Sequence, residues 1–142
     1  EGQRTAFDRS GDLEVNIVLD TNGYSDFKRG AESAVAALES AEEIVVPATV
    51  LGELYAGFRL GTRENENVRE LHQFLERPGV RIGPMDHGVA RRYGDLVAAL
   101  KRLGTPIPTN DIWIGAVAIE HNGELLTRDE HFKTVPVLRL YG

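Results

Sequence analysis

Val15-Asn16-Ile17-Val18-Leu19-Asp20-Thr21-Asn22-Gly23 decides how the rest of the chain is read. A short β-branched run stops abruptly at an acid, and Asn22-Gly23 is a turn signal, so Val15–Leu19 reads as a strand buried on both faces. Downstream, Ala31 to Ala41 is Ala-rich and helical in propensity. Ile44-Val45-Val46 forms a second strand stopped by Pro47. Thr49 to Leu60 reads as a helix with Leu51, Leu54, Tyr55 and Phe58 on one face. Val68, Leu71, Phe74 and Leu75 mark another, ending near Pro78-Gly79. Val80-Arg81-Ile82 is a third strand. Val89, Tyr93, Leu96, Val97, Leu100 and Leu103 draw the clearest helical stripe, with Gly104 as its stop. Thr109 to Asn122 is apolar in nearly every direction, the mark of a buried helix. Glu124–Thr127 and Val137–Leu140 complete the strands. Short apolar strands alternating with helices indicate an α/β fold: a mainly parallel, about five-stranded sheet covered on both faces. The expected organisation is a single domain over 15–142 behind a loose polar lead-in over 1–14.

Composition narrows the function. The chain has 142 residues, a formal net charge of -6 and no cysteine. A disulfide scaffold, thiolate metal ligands and a cysteine nucleophile are thereby excluded. The acidic balance argues against a coat that holds nucleic acid by charge alone, and no basic run of five or six residues is present. The longest apolar stretch, Ile112 to Ile119, falls far short of the ~18 residues of a membrane span. The sequence opens on Glu1 without a charged-then-apolar leader, and the expectation is a cytoplasmic protein with no membrane partner.

Familiar signatures are missing. No G-x-x-x-x-G-K-[ST], no G-x-G-x-x-G after the first strand and no G-x-S-x-G elbow occurs. His72, His87, His121 and His131 lack zinc-type spacing, and His121 reads as a surface residue near a helix end. The remaining chemistry belongs to carboxylates. In an open parallel sheet, ligands bind at the carboxyl ends of strands. Asp20 directly follows one strand and Asp129 closely follows another. Asp111 and Glu53 lie in the first turns of helices that begin on that same rim. Each has a structural alternative: Asp20 as a turn residue, Asp111 as a partner of the helix dipole, Asp129 as the N-cap of a short helix through Phe132, and Glu53 as a solvated helix residue.

Glu53 shares its helix face with Gly52, Ala56 and Gly57, which reads either as a packing or dimer face or as access to a cleft. The cleft is the reading adopted. Two carboxylates ~5 Å apart repel by about 3 kcal/mol at an effective dielectric near 20, so four converging acids call for a bound cation. Carboxylate oxygens without Cys or paired His suit Mg²⁺ or Mn²⁺, ions that serve phosphate chemistry.

Four segments carry a resemblance: Leu19-Asp20-Thr21-Asn22, Val50-Leu51-Gly52-Glu53-Leu54, Thr109-Asn110-Asp111-Ile112-Trp113-Ile114 and Leu126-Thr127-Arg128-Asp129-Glu130-His131-Phe132. In this order they resemble the PIN-domain ribonucleases, in particular the VapC toxins of type II toxin–antitoxin pairs. The similarity spans residues 15 to 140. It implies a Rossmann-like three-layer α/β/α sandwich and Mg²⁺- or Mn²⁺-dependent endoribonuclease activity. It also implies inhibition by a cognate VapB-like antitoxin, contact with DNA only through that antitoxin, and a homodimer. Residue by residue, it assigns catalysis to Asp20, Glu53, Asp111 and Asp129, metal ligation most directly to Asp20 and Asp111 and, partly through water, to Asp129, and supporting polar roles to Asn22 and Thr127. The chain departs from the family at Gly23, where an apolar residue is usual, at Gly115, where Ala is usual, and in its extra residues before the first strand. Two alternatives are a haloacid-dehalogenase-type phosphatase, which needs an acid at the position of Asn22, and a catalytically inactive PIN-like interaction module.

Overall fold

A computed structural model describes residues 15–142, and the lead-in expected over 1–14 lies outside the described residues. Five strands, β1 (Asn16–Leu19), β2 (Glu43–Pro47), β3 (Val80–Gly83), β4 (Glu124–Leu126) and β5 (Arg139–Leu140), form one parallel sheet in the order β3-β2-β1-β4-β5. The register sets Val18 against Val45 on one side and Leu125 on the other, and all three are fully buried. Burial on both faces is why these strands lack a polar alternation.

Six helices connect them: α1 (Thr21–Lys28), α2 (Glu32–Ser40), α3 (Ala48–Leu60), α4 (Glu64–Leu75), α5 (His87–Leu103) and α6 (Thr109–Glu120). Parallel crossovers are right-handed. The links from β1 to β2 and from β2 to β3 therefore run over one face. The link from β3 back to β4, through the mutually packed α5 and α6, runs over the other. This is the three-layer α/β/α sandwich. The direction of strand addition reverses beside β1, between β1 and β4, which is the topological switch point where such sheets open a crevice.

The elements follow their sequence signals with three exceptions. No turn follows β1. Asp20 instead caps α1, its Oδ1 accepting the Gly23 N–H at 2.6 Å, and Asn22-Gly23 lies inside the first helical turn. Glycine at 23 has a steric reason, since a Cβ there would stand 2.9 Å from the Leu126 carbonyl oxygen. Second, α4 begins four residues before its apolar stripe, because Glu64 and Glu66 in its first turn favour the helix dipole but leave no hydrophobic mark. Third, β5 is shorter than Val137–Leu140, because Val137 adopts a left-handed φ of 69° and sits exposed outside the ladder. The stop at Gly104 is as expected, with φ 71° beyond α5. The α6 helix is buried from Ile114 through Ala118, as its all-round apolarity requires.

Candidate active site

The site is assembled where β1, β4, α3 and α6 meet the switch point. Asp20 is held at the carboxyl end of β1 and is only 4% exposed. Thr127, immediately past β4, donates its hydroxyl to Asp20 Oδ2, and the same Thr127 oxygen accepts the Asp129 N–H at 2.9 Å. Burial pushes the Asp20 carboxyl above the usual aspartate range. The Thr127 and Gly23 hydrogen bonds oppose that rise, and the charges of Asp129 and Asp111 add to it.

Asp129 caps a short 3-10 helix, Glu130–Thr134, by accepting the His131 N–H at 2.9 Å. That helix is anchored by Phe132, which is fully buried. The cap turns the His131 ring toward the acids, with Nδ1 3.1 Å from Asp129 Oδ1 and 3.3 Å from Asp111 Oδ2. Asp111 stands in the first turn of α6, where the positive end of the helix dipole meets it. Its carboxyl is also pushed up, first by burial and then by the charges of Asp129 and Glu53, while His131 acts in the other direction. Ligand atoms of Asp111, Asp129 and His131 all lie within 4.8 Å of one another. Asp20 flanks this trio within electrostatic reach of both aspartates.

Glu53 reaches the same rim from α3. Its Oε1 accepts from Thr21 and its Oε2 accepts from Asn110 Nδ2 at 3.2 Å, so it joins the N-termini of α1 and α6. The surrounding helix face is open: Gly52, Ala56 and Gly57 are exposed, and a Cβ on either glycine would meet nothing within 4 Å. Asn22 is exposed in the first turn of α1 and bonds none of the four acids.

The residues singled out in the sequence thus fall into three situations. Asp20, Asp111, Asp129 and Thr127 come together, Glu53 borders them, and Asn22 stands aside. His131, Thr21 and Asn110 were missed. Their signals were present as Asp129-x-His131 and as polar residues directly beside Asp20 and Asp111, but a search restricted to paired histidines passes over a mixed carboxylate–imidazole set. The donor chemistry fits a divalent ion, because buried like charges this close are disfavoured without one, and oxygen-rich donors with one imidazole accommodate Mg²⁺ or Mn²⁺.

Comparison with known proteins gives the family of this fold. The PIN domain family matches residues 17–138. The chain belongs to the PIN-domain family. Toxin FitB of Neisseria gonorrhoeae is 34% identical over 125 residues, covering 80% of this chain and 87% of FitB. Ribonuclease VapC2 of Rickettsia felis is 32% identical over 98 residues, 68% of this chain and 72% of that protein. Among solved structures, the VapBC2 complex of Rickettsia felis bound to a DNA fragment from their promoter matches with a TM-score of 0.78. Its identity is 28%, over 89% of this chain and 97% of that one. The PIN-domain assignment extends from β1 into the segment before β5, so all four acids lie inside it.

Proposed function

We propose that this PIN-domain chain is a Mg²⁺- or Mn²⁺-dependent endoribonuclease acting as the toxin of a toxin–antitoxin pair. The observation that carries the reading is the convergence of Asp20, Asp111 and Asp129 with His131 at the switch point of a PIN fold. Asp20, Asp111 and Asp129 are the residues that would hold the ion, with His131 as a further donor. A divalent ion held by them would supply polarisation of a phosphoryl oxygen and a lowered pKa for water. Thr127 keeps Asp20 oriented through its hydroxyl, and Glu53, oriented at both oxygens by Thr21 and Asn110, would take a proton from the attacking water. Asn22, exposed in the first turn of α1, would contact the RNA strand rather than the ion.

The partner reading follows from the relatives. A VapB-like antitoxin would lay a peptide across the acidic rim, an arginine pairing with the carboxylates, and would carry any contact with DNA. A homodimer in the cytoplasm completes the proposal. No helix among the described residues is long and apolar enough to cross a membrane.

The deciding experiment is cleavage of a single-stranded or loop RNA by the purified chain in Mg²⁺, Mn²⁺ and excess EDTA. Activity should need the metal. Asp111→Asn should remove most of the activity, because it keeps side-chain volume but removes an anionic oxygen. Full cleavage in EDTA would sink the metal mechanism.

A further inference from the structure

Three consecutive residues after β4 have three different anchors. Thr127 bonds Asp20, Asp129 bonds the His131 N–H, and Arg128 between them turns to Asp26 in the last turn of α1. Arg128 Nε donates to Asp26 Oδ2 at 2.7 Å and Nη2 donates to Oδ1 at 3.1 Å, a two-pronged contact of guanidinium with carboxylate. Arg29 also donates to Asp26 Oδ1. The Asp26 side chain is 12% exposed whereas that of Arg128 is 61% exposed. A buried carboxylate that loses its partner keeps the desolvation penalty, which separates this pair from an ordinary surface salt bridge.

The same short helix α1 therefore carries Asp20 at its N-cap and Asp26 near its C-terminus, and both are tied to the 127–129 segment. One tie alone would let that segment pivot about Thr127. Two ties on one helix fix its direction and hence the position of Asp129. We infer that the Asp26–Arg128 pair is a clamp that holds the segment carrying Thr127 and Asp129 against α1, making Asp26 and Arg128 positioning residues for the acid site. The inference rests on the reading of Asp20, Asp111 and Asp129 as the ion-holding acids.

Asp26 makes the test sharp, since a carboxylate 12% exposed and engaged by Arg128 and Arg29 offers an RNA phosphate no cation. Asp26→Asn, Arg128→Gln and the double variant are compared with wild type by site-resolved amide hydrogen exchange without metal, by Mn²⁺ titration without RNA, and by steady-state cleavage. Arg128→Lys, which keeps the charge but lacks the fork, is the gentlest variant should the others fold poorly. Each variant should exchange the Asp129 and His131 amides at least ~10-fold faster, a larger acceleration than any in α5. Mn²⁺ affinity should fall about 10-fold, within the range typical when a group supporting a ligand is removed. Turnover should fall with KM nearly unchanged, and the double variant should be no worse than the worse single one. Arg128→Gln raising KM alone, with Asp26→Asn behaving as wild type, would make Arg128 a direct RNA contact and overturn the clamp. Acceleration in α5 as large as that at Asp129 and His131 would reduce the pair to general support and overturn it too. If wild type neither binds Mn²⁺ nor cuts RNA, the nuclease reading falls, yet the exchange pattern still decides whether the clamp exists.

Discussion

Thr127 shows how much of this site depends on one hydroxyl. Its oxygen donates to Asp20 and accepts from the Asp129 N–H, so a single side chain spaces two acids that repel each other. Valine has nearly the same shape and neither capacity. Thr127→Val leaves a buried carboxylate oxygen and a partly buried N–H without partners, each costing about 1 kcal/mol or more. The variant should melt lower by roughly 2 kcal/mol of stability and bind Mn²⁺ several-fold more weakly, measured by thermal melts and calorimetry. Unchanged affinity would mean that Asp20 needs no orientation by Thr127. Asp20 and Asp129 were readable as rim residues because the rule that ligands gather at strand ends depends only on where a strand stops, and a strand's end is visible in sequence. Asp111 and Glu53 were readable from the starts of helices on the same rim. His131 was not readable in that way. Its ring meets Asp111, twenty residues earlier in the chain, only because the cap at Asp129 turns it there, and that turn is a matter of tertiary packing around Phe132.

At the scale of elements, the hidden helix is α1. Asn22-Gly23 signals a turn when the surroundings leave the backbone free, but Asp20 and Pro-free residues up to Lys28 offer an N-cap and an uninterrupted helix, and the capped helix prevails. The strands and the amphipathic α5 were legible because their apolar positions repeat with the period of the element. The acidic first turn of α4 and the left-handed Val137 are local features without periodicity, so they escaped. The buried α6 helix gives the element-scale prediction. Gly115 lies in its interior with a helical backbone, and a Cβ there would sit 3.6 Å from Leu96 Cδ1, 3.9 Å from Val135 and 4.0 Å from Leu138, all ordinary contacts. Alanine is favoured over glycine in a helix interior by about 0.8–1.0 kcal/mol. Gly115→Ala should therefore raise stability by ~1 kcal/mol in denaturant melts with cleavage unchanged. A loss of stability would show that α5 and α6 pack more tightly than these distances indicate.

At the scale of the whole molecule, two buried aspartates act on acid stability with opposite signs. The Arg128 hydrogen bonds hold Asp26 below the usual aspartate range. Its contribution is complete above the unfolded value near 3.8 and disappears as pH falls through the lower folded value. Asp20 runs the other way. Burial raises its folded pKa, so between the unfolded and folded values the native state binds more protons, and stability falls as pH rises through that window. Above it, the Asp20 charge is a standing cost to the metal-free fold. In EDTA at pH 7, Asp20→Asn should thus melt higher, on the order of 1 kcal/mol or roughly 3–6 °C for a chain of this size. The advantage should shrink toward pH 4 as the wild-type carboxyl takes up its proton. Asn preserves the contacts, with its Oδ1 accepting from Gly23 and its amide donating to the Thr127 oxygen in place of the hydroxyl's own donation. Millimolar Mg²⁺ should raise the melting temperature of wild type, because an ion bound only by the folded state stabilises it by mass action, and should hardly move Asp20→Asn. Asp26→Asn is the opposing control: it should melt lower than wild type at pH 7, with the gap closing in acid. Paired melts of the three proteins over pH 3–8, with EDTA and with Mg²⁺, separate the two signs. If Asp20→Asn melts lower in EDTA and Mg²⁺ shifts it as far as wild type, Asp20 serves α1 as a cap and holds no ion.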